Sequence, residues 1–333
     1  MKIYVFDVEN WEAGAFDRLD GEHEIQFTSE PLRSANASRY ADAEAVSTFI
    51  YSSIDRDVLA ELPKLKVIAS RSTGVDYIDI NRCRERGVTV TNVPDYGKTT
   101  VAEHVFALLL TLSHRMEEAV QRTRRGDFNA RGLQGFDLRG KTIGVVGTGD
   151  IGRAVIDIAR GFGMEVLAFD VKPDSRAARQ QGFTYVALDE LLAGSDVITL
   201  HVPGNEKTRN MISSEQFDRM HDGAILINTA RGSIVDHRAL ARALVEGKIA
   251  AAGLDVLPEE PVVREEAELL RSVYESRHDL NNLLAGQVLI HLRNVVVTPH
   301  SAFNTREAVE RILETTVDNL AAYADGRPRN IAA

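Results

Sequence analysis

The sequence predicts an α/β protein built from two flavodoxin/Rossmann-like parallel-sheet domains with a cleft between them. Its 333 residues exceed the usual size of one α/β domain, and a composition of 44% hydrophobic and 26% charged residues can fill two cores. Short apolar runs alternate with helix-like spacers, as expected of βα units. This alternation occurs twice, once on each side of a long helical stretch that begins near residue 100.

The first hundred residues contain five apolar runs that predict parallel strands, namely KIYVFDV, EIQFTS, VSTFIYS, KVIAS and VTVTNV. Residues 99–128 follow with apolar side chains at helical spacing, and Thr99 or Thr100 is the expected N-cap of one long helix. The start of this helix is apolar almost all round. We therefore expect it to be buried between domains or against another subunit.

The second alternation is more regular, with strand-like runs TIGVVG, EVLAFD, DVITLHVP, AILINTA, AAGLDVL and NVVVTPH. These runs are continuously apolar, which is typical of parallel strands covered on both faces. Residues 262–293 interrupt the rhythm with a segment that is acidic at first and helical in pattern. The pattern assigns no role to that insert.

Charge and cysteine content exclude several classes of partner. A formal net charge of −10 argues against nucleic acid, and we interpret the basic run at residues 122–128 as the solvated end of a helix. The single cysteine, Cys83, predicts a reducing cytoplasmic location, and no Cys/His or carboxylate cluster suggests a metal. No apolar run approaches the roughly 20 residues needed to span a membrane. The N-terminus begins like a strand and not like a signal peptide.

A glycine-rich turn predicts a dinucleotide site. Gly147, Gly149 and Gly152 have the G-x-G-x-x-G spacing between a predicted strand and a predicted helix. The next strand ends in Asp170, an acid that suits a ribose 2′-hydroxyl and repels a 2′-phosphate. The alternative is a tight βα turn with an Asp that caps the following turn. The complete context favours NAD over NADP.

Three further features follow predicted strands, at the edge where α/β sheets bind their ligands. Arg231 follows ILINTA, Glu259 and Glu260 follow AAGLDVL, and His300 ends NVVVTPH. An Arg clamps a carboxylate, and a His beside a carboxylate can give and take a proton. For any one of these residues a structural role is the simpler interpretation. Together, beside a nicotinamide site, they predict acid–base chemistry on an anionic substrate.

The ordered motifs GVVGTGDIG, HVPGNEKTRNMI, LINTARGSIVD, GLDVLPEEP and VVVTPH resemble the D-2-hydroxyacid dehydrogenase family over nearly the whole chain. The resemblance implies Arg231 as clamp of the substrate carboxylate and carbonyl, His300 as acid/base, and Glu260 as the partner of His300. It also implies a discontinuous substrate domain, residues 1–99 plus 301–333, and an NAD-binding Rossmann domain, residues 100–300. Hinges would lie near residues 99–101 and 299–300.

The same resemblance implies further contacts. The substrate carboxylate would bind the backbone N–H groups of Thr73 and Gly74, and the helix region 101–125 would form a homodimer. The remaining residues that the resemblance places at the cofactor are Thr100, Gly147, Gly149, Asp150, Ile151, Gly152, Asp170, His201, Val202, Pro203, Thr208, Thr229, Ala230 and Asp255.

Several details resemble the D-lactate dehydrogenase branch of that family. SAFNT follows His300, and Tyr51, Tyr96 and Phe303 stand where substrate-side aromatic residues are expected. The expected reaction is NADH-dependent reduction of a small 2-oxo acid, pyruvate first, to the D-2-hydroxy acid, and its reverse. The alternatives are a sister enzyme acting on hydroxypyruvate, glyoxylate, phosphoglycerate or phosphite, and a non-catalytic NAD-sensing protein similar to the family's corepressors.

Overall fold

The computed structural model describes residues 1–19, 21–257 and 280–332, and its contacts divide the chain into two compact units. Unit 1 comprises residues 1–96 and 304–333, and unit 2 comprises residues 97–303. The family resemblance implies domain boundaries at 99/100 and 300/301. No helix within the described residues is long and apolar enough to cross a membrane.

Unit 1 contains a five-stranded parallel sheet in the order β2-β1-β3-β4-β5, the flavodoxin-like order. Each strand coincides with one of the predicted apolar runs. Their bounds are β1 Lys2–Val5, β2 Glu24–Phe27, β3 Ala45–Thr48, β4 Val67–Ser70 and β5 Thr89–Thr91.

The helices of unit 1 cover that sheet. The long helix α11, Arg306–Ala324, packs against β4 and against the 3₁₀ helix Ala13–Leu19, and the core lies between the sheet and its helices. The bounds are 3₁₀ helices Ala13–Leu19 and Ala37–Tyr40, and α-helices α1 Arg56–Glu61, α2 Ile80–Glu85 and α11 Arg306–Ala324.

Unit 2 contains a seven-stranded parallel sheet in the order β12-β11-β10-β9-β6-β7-β8. Six strands match predicted runs, and β8 was missed because it has only two residues. Their bounds are β6 Thr142–Val146, β7 Glu165–Phe169, β8 Thr184–Tyr185, β9 Val197–Leu200, β10 Ala224–Asn228, β11 Ile249–Leu254 and β12 Val295–Val297.

The strand order of unit 2 reverses between β6 and β9. In a doubly wound sheet, a ligand binds at the carboxyl ends of the strands beside such a reversal. The surrounding helices are α3 Lys98–Ser113, α4 Met116–Arg124, α5 Asp150–Gly161, α6 Ser175–Gln181, α7 Leu188–Gly194, α8 Ser214–Arg219, α9 His237–Val245 and α10 Leu280–His291, with a 3₁₀ turn at Gly232–Ile234.

The prediction of one long helix over residues 99–128 was wrong. The chain forms two helices, α3 and α4, which are separated at Arg115, a left-handed residue with φ 51°. The carbonyl of Ser113 accepts a hydrogen bond from the N–H of Phe136, 3.0 Å away, instead of continuing the helix. The N-cap of α3 is Gly97, so the predicted threonine cap was also wrong.

Candidate active site

The predicted functional residues of unit 2 lie in a row along one edge of its sheet. Because all seven strands are parallel, the residues that follow them share the carboxyl edge. From one side to the other, these residues are Asp170 after β7, the glycine-rich turn after β6, His201 after β9, Arg231 after β10, Asp255 after β11 and His300 after β12.

The glycine-rich turn has the shape that a pyrophosphate requires. Gly147 has φ 97°, and a Cβ there would lie 2.7 Å from the carbonyl oxygen of His201. A Cβ on Gly152 would lie 2.0 Å from the carbonyl oxygen of Gly147, whereas the space beside Gly149 is open. Helix α5 begins at Asp150 without a side-chain cap, so its first N–H groups are available to an anion. These residues fit the diphosphate of a dinucleotide.

Asp170 is fixed in place by the glycine-rich turn. Its Oδ2 accepts hydrogen bonds from Thr148 N at 2.7 Å and Thr148 Oγ1 at 3.0 Å, and its Oδ1 accepts one from Lys172 N at 2.9 Å. Tyr185 Oη lies 2.7 Å from the same threonine hydroxyl. Burial would raise the pKa of Asp170, but these hydrogen bonds outweigh it and hold the pKa below its ordinary value. The carboxylate is therefore ionised at neutral pH, as a ribose acceptor must be.

His201 is a neutral, half-buried side chain that follows β9. Burial lowers its pKa to about 3, and its Nε2 lies 2.8 Å from Thr199 Oγ1. The segment after it includes the predicted cofactor residues Val202 and Pro203. The hydroxyl of Thr208 donates to the carbonyl of Pro203 at 2.6 Å, so it shapes this loop. Its predicted phosphate contact stays a prediction.

The turn that carries Arg231 is braced by a buried amide. Asn228, at the end of β10, donates from Nδ2 to the carbonyl of Arg231 at 2.9 Å and accepts from Ala230 N at 3.0 Å. The Arg231 side chain lies against Gly204, where a Cβ would stand 2.8 Å from Arg231 Cγ. Among the described residues, no hydrogen-bond partner is seen for the buried Thr229 Oγ1. Asn228 therefore braces the backbone at Arg231 and Gly204 leaves room for the stem of its side chain, although the sequence reasoning identified neither; the guanidinium Nη1 itself donates to Ala230 O at 2.7 Å.

Asp255 organises the turn that presents His300. The His300 N–H donates to the Asp255 carbonyl at 2.9 Å. Ser301 N donates to Oδ1 at 2.8 Å, and Ala302 N donates to Oδ2 at 2.9 Å. Thr298 Oγ1 donates to Oδ1 at 2.5 Å. The Asp255 side chain is fully buried, and its predicted contact with the nicotinamide stays a prediction.

In unit 1, the loop after β4 forms a separate cradle. Its carbonyls are occupied: Ser72 Oγ donates to Gly74 O at 2.5 Å, and Asn92 Nδ2 donates to Thr73 O at 2.7 Å. The Thr73 hydroxyl donates to Val93 O at 2.7 Å. Within the described residues, no acceptor is seen for the N–H groups of Thr73 and Gly74. The loop therefore offers donors without acceptors, as a carboxylate cradle requires.

A buried arginine that was not predicted supports this end of unit 1. Arg71 donates from Nη2 to the carbonyls of Phe6 and Asp7, both at 2.7 Å. The Asp7 carboxylate in turn accepts from Phe49 N at 3.1 Å. Tyr51, a predicted substrate-side residue, packs edge-on against Phe49 at 5.6 Å.

The other predicted residues have different outcomes. The backbone carbonyl of Tyr96 accepts two hydrogen bonds from Arg311, at 2.8 and 3.1 Å. The placement of Phe303 at the substrate stays a prediction, as do the cofactor contacts of Thr100 and Ile151. Glu260 and Glu259 lie outside the described residues, so the predicted partner of His300 stays a prediction.

Two other chemistries find no support in the described part of the chain. It contains no group of His, Cys, Asp and Glu side chains that could hold a metal ion. Cys83 is buried, and burial raises its pKa to about 11, so its sulfur stays protonated at neutral pH.

Comparisons with known proteins find similar sequences over nearly the whole chain. A sequence model of one family, "D-isomer specific 2-hydroxyacid dehydrogenase, NAD binding domain", matches residues 106–302. D-lactate dehydrogenase of Escherichia coli is 35% identical over 98% of this chain and 98% of its own length. Glyoxylate reductase of Thermococcus litoralis is 35% identical over 99% of this chain and 97% of its own.

Solved structures give the same result. D-lactate dehydrogenase from Aquifex aeolicus, complexed with NAD and lactic acid, has a TM-score of 0.86 and 35% identity, covering 98% of this chain and 96% of that one. Pyruvate reductase of Chlamydomonas reinhardtii has a TM-score of 0.88 and 36% identity, covering 98% of this chain and 97% of that one.

Proposed function

The chain belongs to the D-isomer specific 2-hydroxyacid dehydrogenase family, and we propose that its reaction is the NADH-dependent reduction of pyruvate to D-lactate and the reverse. NAD is its cofactor, and 2-hydroxyacid dehydrogenation is its chemistry. One observation supports the assignment of roles more than any other. Arg231 and His300 follow β10 and β12, at the same sheet edge as the glycine-rich turn.

The proposed mechanism uses one cationic clamp and one proton donor. The reduced nicotinamide, when bound, supplies the hydride that the carbonyl carbon accepts. Arg231 binds the substrate carboxylate and polarises the carbonyl oxygen. Protonated His300 transfers its proton to the developing alkoxide, and Glu260 stabilises the imidazolium before the transfer. In the reverse direction, neutral His300 removes the hydroxyl proton.

The cofactor contacts in this proposal are those that the turn can make. The first N–H groups of α5, at Asp150 and Ile151, face the diphosphate, and Asp170 accepts from the ribose hydroxyls. His201 stays neutral at working pH, so it adds no charge to this part of the site.

The choice of pyruvate rests on sequence details and on similar proteins. SAFNT after His300, together with Tyr51, Tyr96 and Phe303, favours the lactate branch, and the relatives include D-lactate dehydrogenases. Glyoxylate reductases with 34% to 35% identity make glyoxylate the second candidate. Because one methylene contributes only about 1–3 kcal/mol to discrimination, related 2-oxo acids should also react.

The decisive experiment compares substrates under identical conditions. NADH oxidation is followed by absorbance with pyruvate, phenylpyruvate, 2-oxobutyrate, hydroxypyruvate and glyoxylate, and NAD reduction with D-lactate, L-lactate and phosphite. Preference for pyruvate and for D-lactate over L-lactate supports the proposal. Preference for glyoxylate or hydroxypyruvate keeps the mechanism and rejects the substrate. NADH binding without any turnover rejects the reaction itself.

The proposal includes a homodimer formed by the region 101–125 and its continuation. Helix α4 has no buried residue, and its Met116 and Val120 are exposed, as is Phe128 just beyond it. Exposed apolar side chains one helical turn apart favour association with a second copy. We expect a dimer by light scattering, and a monomer for Val120→Glu. Val245→Glu, at another exposed apolar residue, is the matched control and should stay dimeric.

The cytoplasm is the proposed location of the enzyme. This location rests on the use of one cysteine, which is buried, in a chain of this length.

A further inference from the structure

His104 interrupts an otherwise apolar face of α3. Val101, Val105 and Leu108 are buried on this helix, which packs against β11 and β12, and helical spacing places His104 in the same stripe. Packing alone would favour an aliphatic side chain there. The imidazole is 20% exposed, and its Nε2 lies 3.0 Å from Thr298 Oγ1 and 3.5 Å from Asp255 Oδ1. It therefore contacts the two residues that hold the His300 turn.

The hydrogen-bond geometry determines which nitrogen of His104 carries a proton. The short 2.5 Å contact assigns the Thr298 hydroxyl proton to the ionised carboxylate of Asp255. The Thr298 oxygen then acts as acceptor toward His104, so Nε2 must be the donor. The network runs in one direction, from His104 to Thr298 and from Thr298 to Asp255.

Asp255 connects this hydrogen-bond network to the His300 turn. Three successive N–H groups, those of residues 300 to 302, surround it, the first on its carbonyl and the other two on its carboxylate. In this arrangement His300 is left-handed, with φ 53°, a conformation that L residues rarely adopt. The strain at His300 is thus held by contacts to Asp255, and a change in the carboxylate's orientation would release it.

We propose that His104 is a positioning residue for the reaction, because it fixes the orientation of Thr298 and Asp255 and thereby the left-handed turn that presents His300. The inference rests on the proposed role of His300 as acid/base. His104 does not exchange a proton with substrate. His104 lies near the start of unit 2, which comprises residues 97–303, and the His300 turn lies near its end. The network therefore joins the two ends of that unit.

The test compares His104→Leu, which fills the space without a donor, with His104→Gln, which can replace Nε2 as donor. Thr298→Val and Thr298→Ser form a second pair at the other end of the bond. His221→Leu, at an exposed histidine of unit 2, is the control. Each variant is measured for kcat and KM with pyruvate, for the Kd of NADH by fluorescence, and for amide exchange in peptides covering 298–303.

We expect His104→Leu and Thr298→Val to lower kcat about ten- to a hundred-fold, the effect of one hydrogen bond to a charged group. NADH should still bind through the untouched glycine-rich turn, and its Kd separates any loss of cofactor affinity from the loss of kcat. Exchange at Ser301 and Ala302 should accelerate, and the Gln and Ser variants should recover most of the loss. His221→Leu should behave as wild type.

Three outcomes would overturn the inference. These are wild-type kcat in His104→Leu, unchanged exchange at residues 301 and 302, or equal impairment of the Leu and Gln variants. If His104→Leu does not fold, the Thr298 pair decides by the same measurements. If the wild-type protein reduces no 2-oxo acid, the proposed function fails separately, and amide exchange still tests the network.

Discussion

Thr148 and Asp170 are joined by two hydrogen bonds, from the backbone N–H at 2.7 Å and from the hydroxyl at 3.0 Å, both to the same carboxylate oxygen. The glycine-rich turn and the acid at the end of β7 therefore form one rigid unit. Since the carboxylate is held on one side by the turn, its remaining acceptor capacity is available to a ribose. A substitution can therefore remove the negative charge of Asp170 and keep the hydrogen bonds from Thr148.

Asp170→Asn should relax the preference for NADH over NADPH. The amide oxygen can still accept from Thr148, but the charge that repels a 2′-phosphate is lost. We expect the ratio of kcat/KM for NADPH to that for NADH to rise at least about tenfold. Asp174→Asn removes a nearby charge that caps α6 and pairs with Arg153, and should leave the ratio unchanged. An unchanged ratio in Asp170→Asn would show that Asp170 does not read the ribose.

Gly204→Ala should impair catalysis through Arg231. A Cβ at Gly204 would lie 2.8 Å from Arg231 Cγ and 3.1 Å from its Cβ, so the arginine stem has to move. Because a guanidinium clamp acts through precise geometry, we expect kcat/KM for pyruvate to fall about ten- to a hundred-fold. In Arg231→Ala, kcat/KM for pyruvate should fall further, because kcat and the affinity for pyruvate are lost together.

Gly161→Ala is the matched control for this prediction. Gly161 ends α5, has open space beside its Cα and is not left-handed, so a methyl group should be tolerated. Normal pyruvate kinetics in Gly204→Ala would show that the guanidinium position does not depend on this contact. Near-normal kinetics in Arg231→Ala would reject the clamp itself.

Glu260→Gln should shift the pH dependence of the reaction, although this residue lies outside the described part of the chain. Reduction needs protonated His300, and an adjacent carboxylate keeps the imidazolium protonated to higher pH. Without that charge, the alkaline decline of kcat/KM for pyruvate should move to lower pH. Glu259→Gln is the matched control and should keep the wild-type profile. Identical profiles for both variants would make Glu260 irrelevant.

The strands of both units could be predicted because burial on both faces of a parallel sheet requires continuous apolar runs. The runs around Ile143, Val197 and Ile225 coincide with β6, β9 and β10. The two-residue strand β8 leaves no such run, and the break between α3 and α4 depends on the contact between Ser113 and Phe136, which are distant in sequence. Contacts of this kind leave no local pattern.

The candidate site also contains residues that could be predicted from the sequence and residues that could not. Arg231, Asp255 and His300 were identified because each follows an apolar run, and parallel strands bring their ends to one edge. The residues that orient them, such as Asn228 and Thr298, act through hydrogen bonds whose partners are set by the tertiary fold. Their residue types are compatible with many roles, so the sequence did not distinguish them from ordinary strand-end polar residues.

Asp255 should contribute to stability in a pH-dependent way. Burial would raise its pKa, but the nearby His104 imidazole and the hydrogen bonds donated by Thr298 and by the N–H groups of Ala302 and Ser301 hold the pKa below its ordinary value of 3.8. Because the folded pKa is lower than the unfolded one, the contribution is complete above the unfolded value. It is lost as the pH falls through the folded value.

Asp255→Asn should therefore lower the free energy of unfolding by about 2–4 kcal/mol at neutral pH. The reason is that the hydrogen-bond donors around residue 255 would then face a neutral amide in place of a buried carboxylate. The difference from wild type should stay constant from about pH 8 to pH 5 and shrink below about pH 4. The only tryptophan, Trp11, lies in unit 1, so urea unfolding is followed by circular dichroism. Asp222→Asn, at an exposed carboxylate paired with Lys248, should show almost no difference. Equal stability of Asp255→Asn and wild type at neutral pH would mean that the ionised carboxylate does not hold the His300 turn.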